Sequence, residues 1–65
     1  MSKFKKVLES KNVTQRELAK EVGMSYQMIS LYATGKADIG SKKLRKIAKF
    51  LGVIMEDLME EDDDD

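Results

Sequence analysis

Apolar side chains recur along this chain at the three- and four-residue spacing of amphipathic helices, and no segment alternates as a strand would. Phe4, Val7 and Leu8 share one face of a first helix, placed at about Lys3 to Lys11 with Ser2 as its N-cap. Asn12-Val13 is a short link. Thr14 opens a second helix with a capping box, in which its hydroxyl accepts from the Glu17 amide and Glu17 reaches back. Leu18, Ala19 and Val22 form the inward stripe of that helix, and Gly23 ends it. Ser25 caps a third helix over about Tyr26 to Ala33, closed by Gly35. Lys36 to Gly40 reads as a loop. Leu44, Ile47, Ala48 and Leu51 then fall on one face of a fourth helix, about Ser41 to Phe50, which Gly52 terminates. A last helical turn, about Met55 to Glu60, brings Leu58 to the core. There is no internal repeat.

Residues 15–34 are the most informative part of this pattern. Ala19 is small enough for a second helix to cross close to it. Gly23 stands where the chain must turn sharply, with φ > 0. Ile29 then supplies an apolar side chain facing the first helix, and Leu18, Val22 and Tyr32 complete the inward set. This is the layout of a helix-turn-helix, whose second helix commonly lies in the DNA major groove.

Composition narrows the picture further. A chain of 65 residues makes one domain. A domain of that size buries only about 60% of its unfolded surface, so its stability is marginal and rests on helix packing, with dimerisation as a further source. With no Cys and no His, disulfides, thiolate metal sites, and Ser-His or Cys-His nucleophilic pairs are all excluded. The cysteine-free chain suits a reducing cytoplasm. No apolar run approaches the ~20 residues of a membrane span, and no signal-peptide core follows the N-terminus.

The formal net charge of zero conceals a strong asymmetry. Residues 1–54 hold all 12 Lys and Arg with only Glu9, Glu17, Glu21 and Asp38 against them, a net +8. Residues 55–65 hold eight acids and no base, a net −8. The division reads as a polyanion-binding domain, residues 1–59, with an acidic disordered tail, residues 60–65. The tail is read most simply as a solubilising end. A sharper reading is that it mimics DNA charge and folds back over the basic face.

From about Phe4 to Leu58 the chain resembles the phage repressor and Cro type of helix-turn-helix domain, the XRE-like family. The resemblance is carried by Thr14-Gln15, Leu18-Ala19, Val22-Gly23, Ser25, Ile29-Ser30, Gly35-Lys36, Leu44, Ile47-Ala48 and Leu51-Gly52-Val53. It implies an all-α, compact five-helix, lambda-repressor-like domain with the motif at helices 2 and 3, and dimers on palindromic operators. By position it implies a phosphate contact from Gln15, and a major-groove face of Ser25, Tyr26, Gln27, Ser30 and Leu31. It further implies backbone contacts from Thr34, Lys36 and the start of helix 4. The chain departs from the family pattern at Ala33, at Ile39-Gly40 and at Ile54, where members often have Glu, Pro-Ser, and Ser or Thr. The first two departures are expected to loosen the loop and weaken the cap of helix 4. The third replaces a polar cap with an apolar side chain.

Residue chemistry sharpens these roles. Gln27 is the leading base reader, because its amide can pair bidentately with adenine N6 and N7. Leu31 suits a thymine methyl, and Tyr26 can pack on a sugar or methyl and bond a phosphate. Lys42 and Lys43 lie in the first turn of helix 4, where the helix dipole disfavours cations by about 0.3–1 kcal/mol. A docked phosphate would offset that cost. Lys3, Lys5 and Lys6 read as a solvated face. Ile54, Met55, Leu58 and Met59 fall at i, i+1, i+4 and i+5, a broad apolar patch. With Leu58 in the core, Val53, Ile54, Met55 and Met59 become the candidate homodimer contact.

The expectation is a small cytoplasmic regulator of a bacterium or phage-infected host, of Cro or repressor type, bound to double-stranded DNA. No enzymatic activity, metal, cofactor, small-molecule ligand or membrane association is expected. The rival reading is a protein-interaction module on the same fold, of antitoxin or anti-repressor type, gripping its partner with Tyr26, Met28 and Leu31.

Overall fold

Ser2, Thr14 and Ser25 each start a helix by accepting a backbone N–H three residues on. Their hydroxyls receive the amides of Lys5 at 3.0 Å, Glu17 at 3.0 Å and Met28 at 3.1 Å. Each bond satisfies one of the amides that a helix N-terminus leaves open. The resulting elements are α1 (Lys3–Ser10), α2 (Gln15–Val22) and α3 (Tyr26–Ala33), followed by α4 (Gly40–Leu51) and a 3-10 turn at Met55–Asp57. These come from a computed structural model that describes residues 2–59; the expected acidic tail, 60–65, lies outside the described residues.

The all-α expectation holds, with one difference of count. The expected fifth helix is the single 3-10 turn. Gly52 ends α4 in the left-handed region (φ 74°, ψ 33°), and Ile54 is extended (φ −89°, ψ 159°). Leu58 then turns into the core, and its carbonyl accepts the Tyr32 hydroxyl at 3.0 Å. That carbonyl is therefore engaged by a side chain of α3. No helix among the described residues is long and apolar enough to cross a membrane.

Phe4, Leu18, Ile29, Ile47 and Leu58 are all 0% exposed, one from each of the four α-helices and one from the segment after them. Around them close Leu8, Ala19, Val22, Tyr32, Ala33, Leu44, Ala48 and Leu51, the inward positions of the periodic pattern. The Tyr32 ring meets Phe4 edge-on, with centroids 5.0 Å apart and planes at 82°. On the surface, the Lys3 ammonium donates to the Glu56 carbonyl at 2.8 Å, tying α1 to the 3-10 turn.

The start of α4 departs from the other three. Ile39 occupies the cap position and offers no side-chain bond, in line with the expected weak cap. The Asp38 carboxylate accepts from the Gly40 amide at 3.3 Å, a partial substitute. The loop gains an anchor the periodicity did not reveal, because Ile39 is itself buried in the core. One apolar side chain between Asp38 and Gly40 has no partner at helical spacing, and so reads as loop.

Gly23 carries the turn between α2 and α3 at φ 72°, ψ 35°, with Met24 N–H bonding back to Ala19 C=O at 2.9 Å. A Cβ placed on Gly23 would meet nothing within 4 Å. The cost of Gly23→Ala is therefore backbone strain alone, about 1–2 kcal/mol. Thermal melting should fall by about 4–8 °C for each kcal/mol lost in a domain of this size. A melt unchanged by Gly23→Ala would show that the turn relaxes out of the left-handed region.

Candidate nucleic-acid interface

Helix α3 is apolar on one side and open on the other, and the division follows from helical geometry. Ile29, Tyr32 and Ala33 are buried. At about 100° per residue, the point opposite their mean direction falls between Gln27 and Leu31. Both are exposed, Leu31 at 42%. Tyr26, also 42% exposed, and half-buried Ser30 lie on one flank. These four residues line one shallow hollow, so four of the five expected base readers come together on the outward face.

Ser25, the fifth, stands just before the helix with its oxygen engaged in the α3 cap, which leaves its hydroxyl hydrogen and one oxygen lone pair to offer. Met28 is at the edge of exposure on the other flank, about 160° around the helix from Tyr26. Tyr26 and Met28 thus stand on opposite flanks of Gln27 and Leu31, and all three apolar side chains of the rival reading are exposed.

The expected phosphate-contacting residues surround this face unevenly. Gln15 is the first residue of α2 and half-buried. Lys36 is exposed just after α3, its amide bonded to Leu31 C=O at 2.8 Å, which fixes the direction in which the chain leaves the helix. Lys42 and Lys43 are exposed in the first turn of α4, which contains no acidic residue, with the Asp38 carboxylate just before it accepting the Gly40 amide. Thr34 is the least available. Its single hydroxyl hydrogen is shared between the carbonyls of Ser30 at 3.1 Å and Leu31 at 3.2 Å. A phosphate needs a donor, and Thr34 would have to release those carbonyls to supply one.

One residue on this side escaped the sequence reading. The guanidinium of Arg16, the second residue of α2, lies over the Tyr26 ring at 4.6 Å from its centroid. The pair joins the openings of α2 and α3. Ten positions of separation across a turn correspond to no helical repeat, so periodicity carries no trace of it.

The candidate dimer segment is also laid out differently from the sequence expectation. With Ile54 extended and only one 3-10 turn after it, the helical spacing that grouped Ile54, Met55, Leu58 and Met59 does not apply. Val53 and Met55 pack partly against the core, while Ile54 is 60% and Met59 46% exposed. Met59 borders a shallow groove with Tyr32, Gly35, Ala37, Asp38 and Leu44. Phe50, to which the sequence reading gave no role, is also exposed.

Comparison with known proteins agrees with this geometry. A family model described as helix-turn-helix matches residues 4–58. The chain is 46% identical over 54 residues to a protein of Methanocaldococcus jannaschii named as an uncharacterized HTH-type transcriptional regulator. The alignment covers 83% of this chain and 82% of that one. No solved structure matches.

Proposed function

Because the chain belongs to the helix-turn-helix family, a non-enzymatic DNA-binding family, we propose that it is a sequence-specific transcriptional regulator, binding a palindromic operator as a homodimer in the cytoplasm. The observation that carries this reading is the outward face of α3, where Gln27 and Leu31 stand central and Tyr26 and Ser30 flank them. The name of the Methanocaldococcus jannaschii relative points the same way.

The mechanism is occupancy. The net charge of +8 over residues 1–54 draws the protein to the duplex, and release of condensed counterions supplies sequence-independent affinity. Gln15, Lys36, Lys42 and Lys43 hold the backbone, with Thr34 as a weaker contributor. The open amides and basic side chains in the first turn of α4 are matched to a phosphate, which offsets the unfavourable placement of two cations at a helix N-terminus. Gln27 then reads adenine, Leu31 packs on a thymine methyl, and Tyr26, Ser30 and Ser25 complete the face. A contact through Val53, Ile54, Met55 and Met59 would set the two recognition helices ~34 Å apart, one turn of duplex. A bound dimer excludes polymerase from the same DNA.

Selection of bound duplexes from a random pool tests this directly. Enrichment of a palindrome is expected. Failure of folded protein to enrich any sequence at low salt overturns the reading. On the selected operator, Gln27→Ala should relax one base position in each half-site, removing about 1–3 kcal/mol of discrimination there. Lys36→Ala should weaken all sequences alike. If both substitutions weaken all sequences equally, Gln27 is not the reader.

A further inference from the structure

We infer that Arg16 and Tyr26 form a phosphate clamp, in which the tyrosine ring holds the guanidinium flat and the guanidinium grips the DNA backbone. The inference rests on the DNA-binding reading above and assigns a contact that the sequence pattern did not.

A guanidinium offers two kinds of surface. Its faces stack on aromatic rings, and its five N–H groups point outward in its own plane. The Arg16 guanidinium carbon lies 4.6 Å over the Tyr26 centroid, and a guanidinium stacked there by a face leaves its donor edge available. Both residues are exposed, and Arg16 makes no ion pair or hydrogen bond among the described residues. The charge is therefore held in place without being neutralised. An unrestrained arginine must give up about 2 kcal/mol of rotamer freedom to bind, and the ring removes part of that cost in advance.

The acceptor follows from position. Arg16 is the second residue of α2, the helix that crosses the backbone when α3 lies in the major groove. Tyr26 lies about 100° around α3 from Gln27, at the edge of the reading face. A fork held at that edge, on the crossing helix, meets a phosphate, whose paired oxygens match it bidentately. Tyr26 thereby becomes a positioning residue for Arg16 as well as a surface for sugar or methyl.

The test is a salt titration of binding to the selected palindrome and to a scrambled duplex of equal length. The parent chain is compared with Arg16→Ala, Arg16→Lys, Tyr26→Leu, Tyr26→Phe and the double variant Arg16→Ala/Tyr26→Leu. Thermal melts of each variant check folding. Arg16→Ala should weaken both duplexes on the order of tenfold per half-site, the worth of one charge-assisted hydrogen bond. It should also lower the slope of log affinity against log salt by about 1 per half-site. Arg16→Lys should keep the slope and lose affinity, because the charge remains without the fork. Tyr26→Leu should lose more than Tyr26→Phe, which keeps the ring face, and the double variant should lose little more than Arg16→Ala alone.

An unchanged slope in Arg16→Ala overturns the clamp, while parent binding stays intact and the DNA-binding reading stands. Loss confined to the palindrome overturns it in favour of base reading by Arg16. A parent chain that binds neither duplex at low salt overturns the DNA-binding reading and the clamp with it.

Discussion

Replacing Phe4 with alanine is expected to remove about 3–5 kcal/mol of stability. A domain of this length holds on the order of 3–10 kcal/mol in all, so much of the protein should be unfolded at room temperature. The size of the effect follows from what Phe4 touches. It is fully buried, and its ring meets Tyr32 edge-on; Tyr32 in turn holds the carbonyl of the fully buried Leu58. Deleting the ring empties the junction of α1, α3 and the final turn together. Far-ultraviolet circular dichroism through a urea titration reads the loss. Tyr32→Phe should cost less, about 1–3 kcal/mol, because the ring contact survives while the Leu58 carbonyl loses its donor. A Phe4→Ala midpoint close to the parent would show that Tyr32 and Leu58 collapse into the vacated space. Operator duplex at roughly a hundred times its Kd should restore about 2.7 kcal/mol. That recovery distinguishes a folding defect from damage to the interface.

Ile54→Lys should leave stability within about 0.5 kcal/mol of the parent, since the side chain is 60% exposed. Its effect is expected in assembly. In the proposed dimer a charge at this apolar contact would meet its own copy across the two-fold axis and be desolvated there. Sedimentation is expected to show a dimer for the parent and a monomer for the variant. Binding to the full palindrome should weaken by about a hundredfold or more, the gain that linking two half-sites supplies. Binding to an isolated half-site should change little. A variant that remains dimeric, with palindrome affinity intact, would move the interface away from Ile54.

What could be read from the sequence divides along a physical line. Features written within one helix were legible. Ser2, Thr14 and Ser25 announced their caps, Gly23 its left-handed turn, and Leu44, Ile47, Ala48 and Leu51 the buried face of α4. Features made between elements were not. Ile39 is buried because the loop folds under, which no spacing records. Arg16 meets Tyr26 only after α2 and α3 have crossed. The final turn looked helical from its apolar spacing, but it is a single 3-10 turn after an extended Ile54, and Leu58 is tied to Tyr32 across 26 residues. On the candidate interface the outward residues were legible from the helical period. The engagement of Thr34 with its own helix was not, because residue type alone does not say where a hydroxyl hydrogen points.

The closing of the core at residue 58 bears on how the protein is made. Phe4 is synthesised 54 residues ahead of Leu58, yet the packing around it requires Leu58 and the carbonyl that Tyr32 holds. At about 5–20 residues per second, several seconds of translation pass in which α1 is present without its last partner. Helices of eight residues, as α1, α2 and α3 are, have little persistence alone in water. The nascent chain therefore gains a recognition surface only when its final buried leucine has left the ribosome. A transcript broken ahead of the Leu58 codon yields a peptide that cannot close this core.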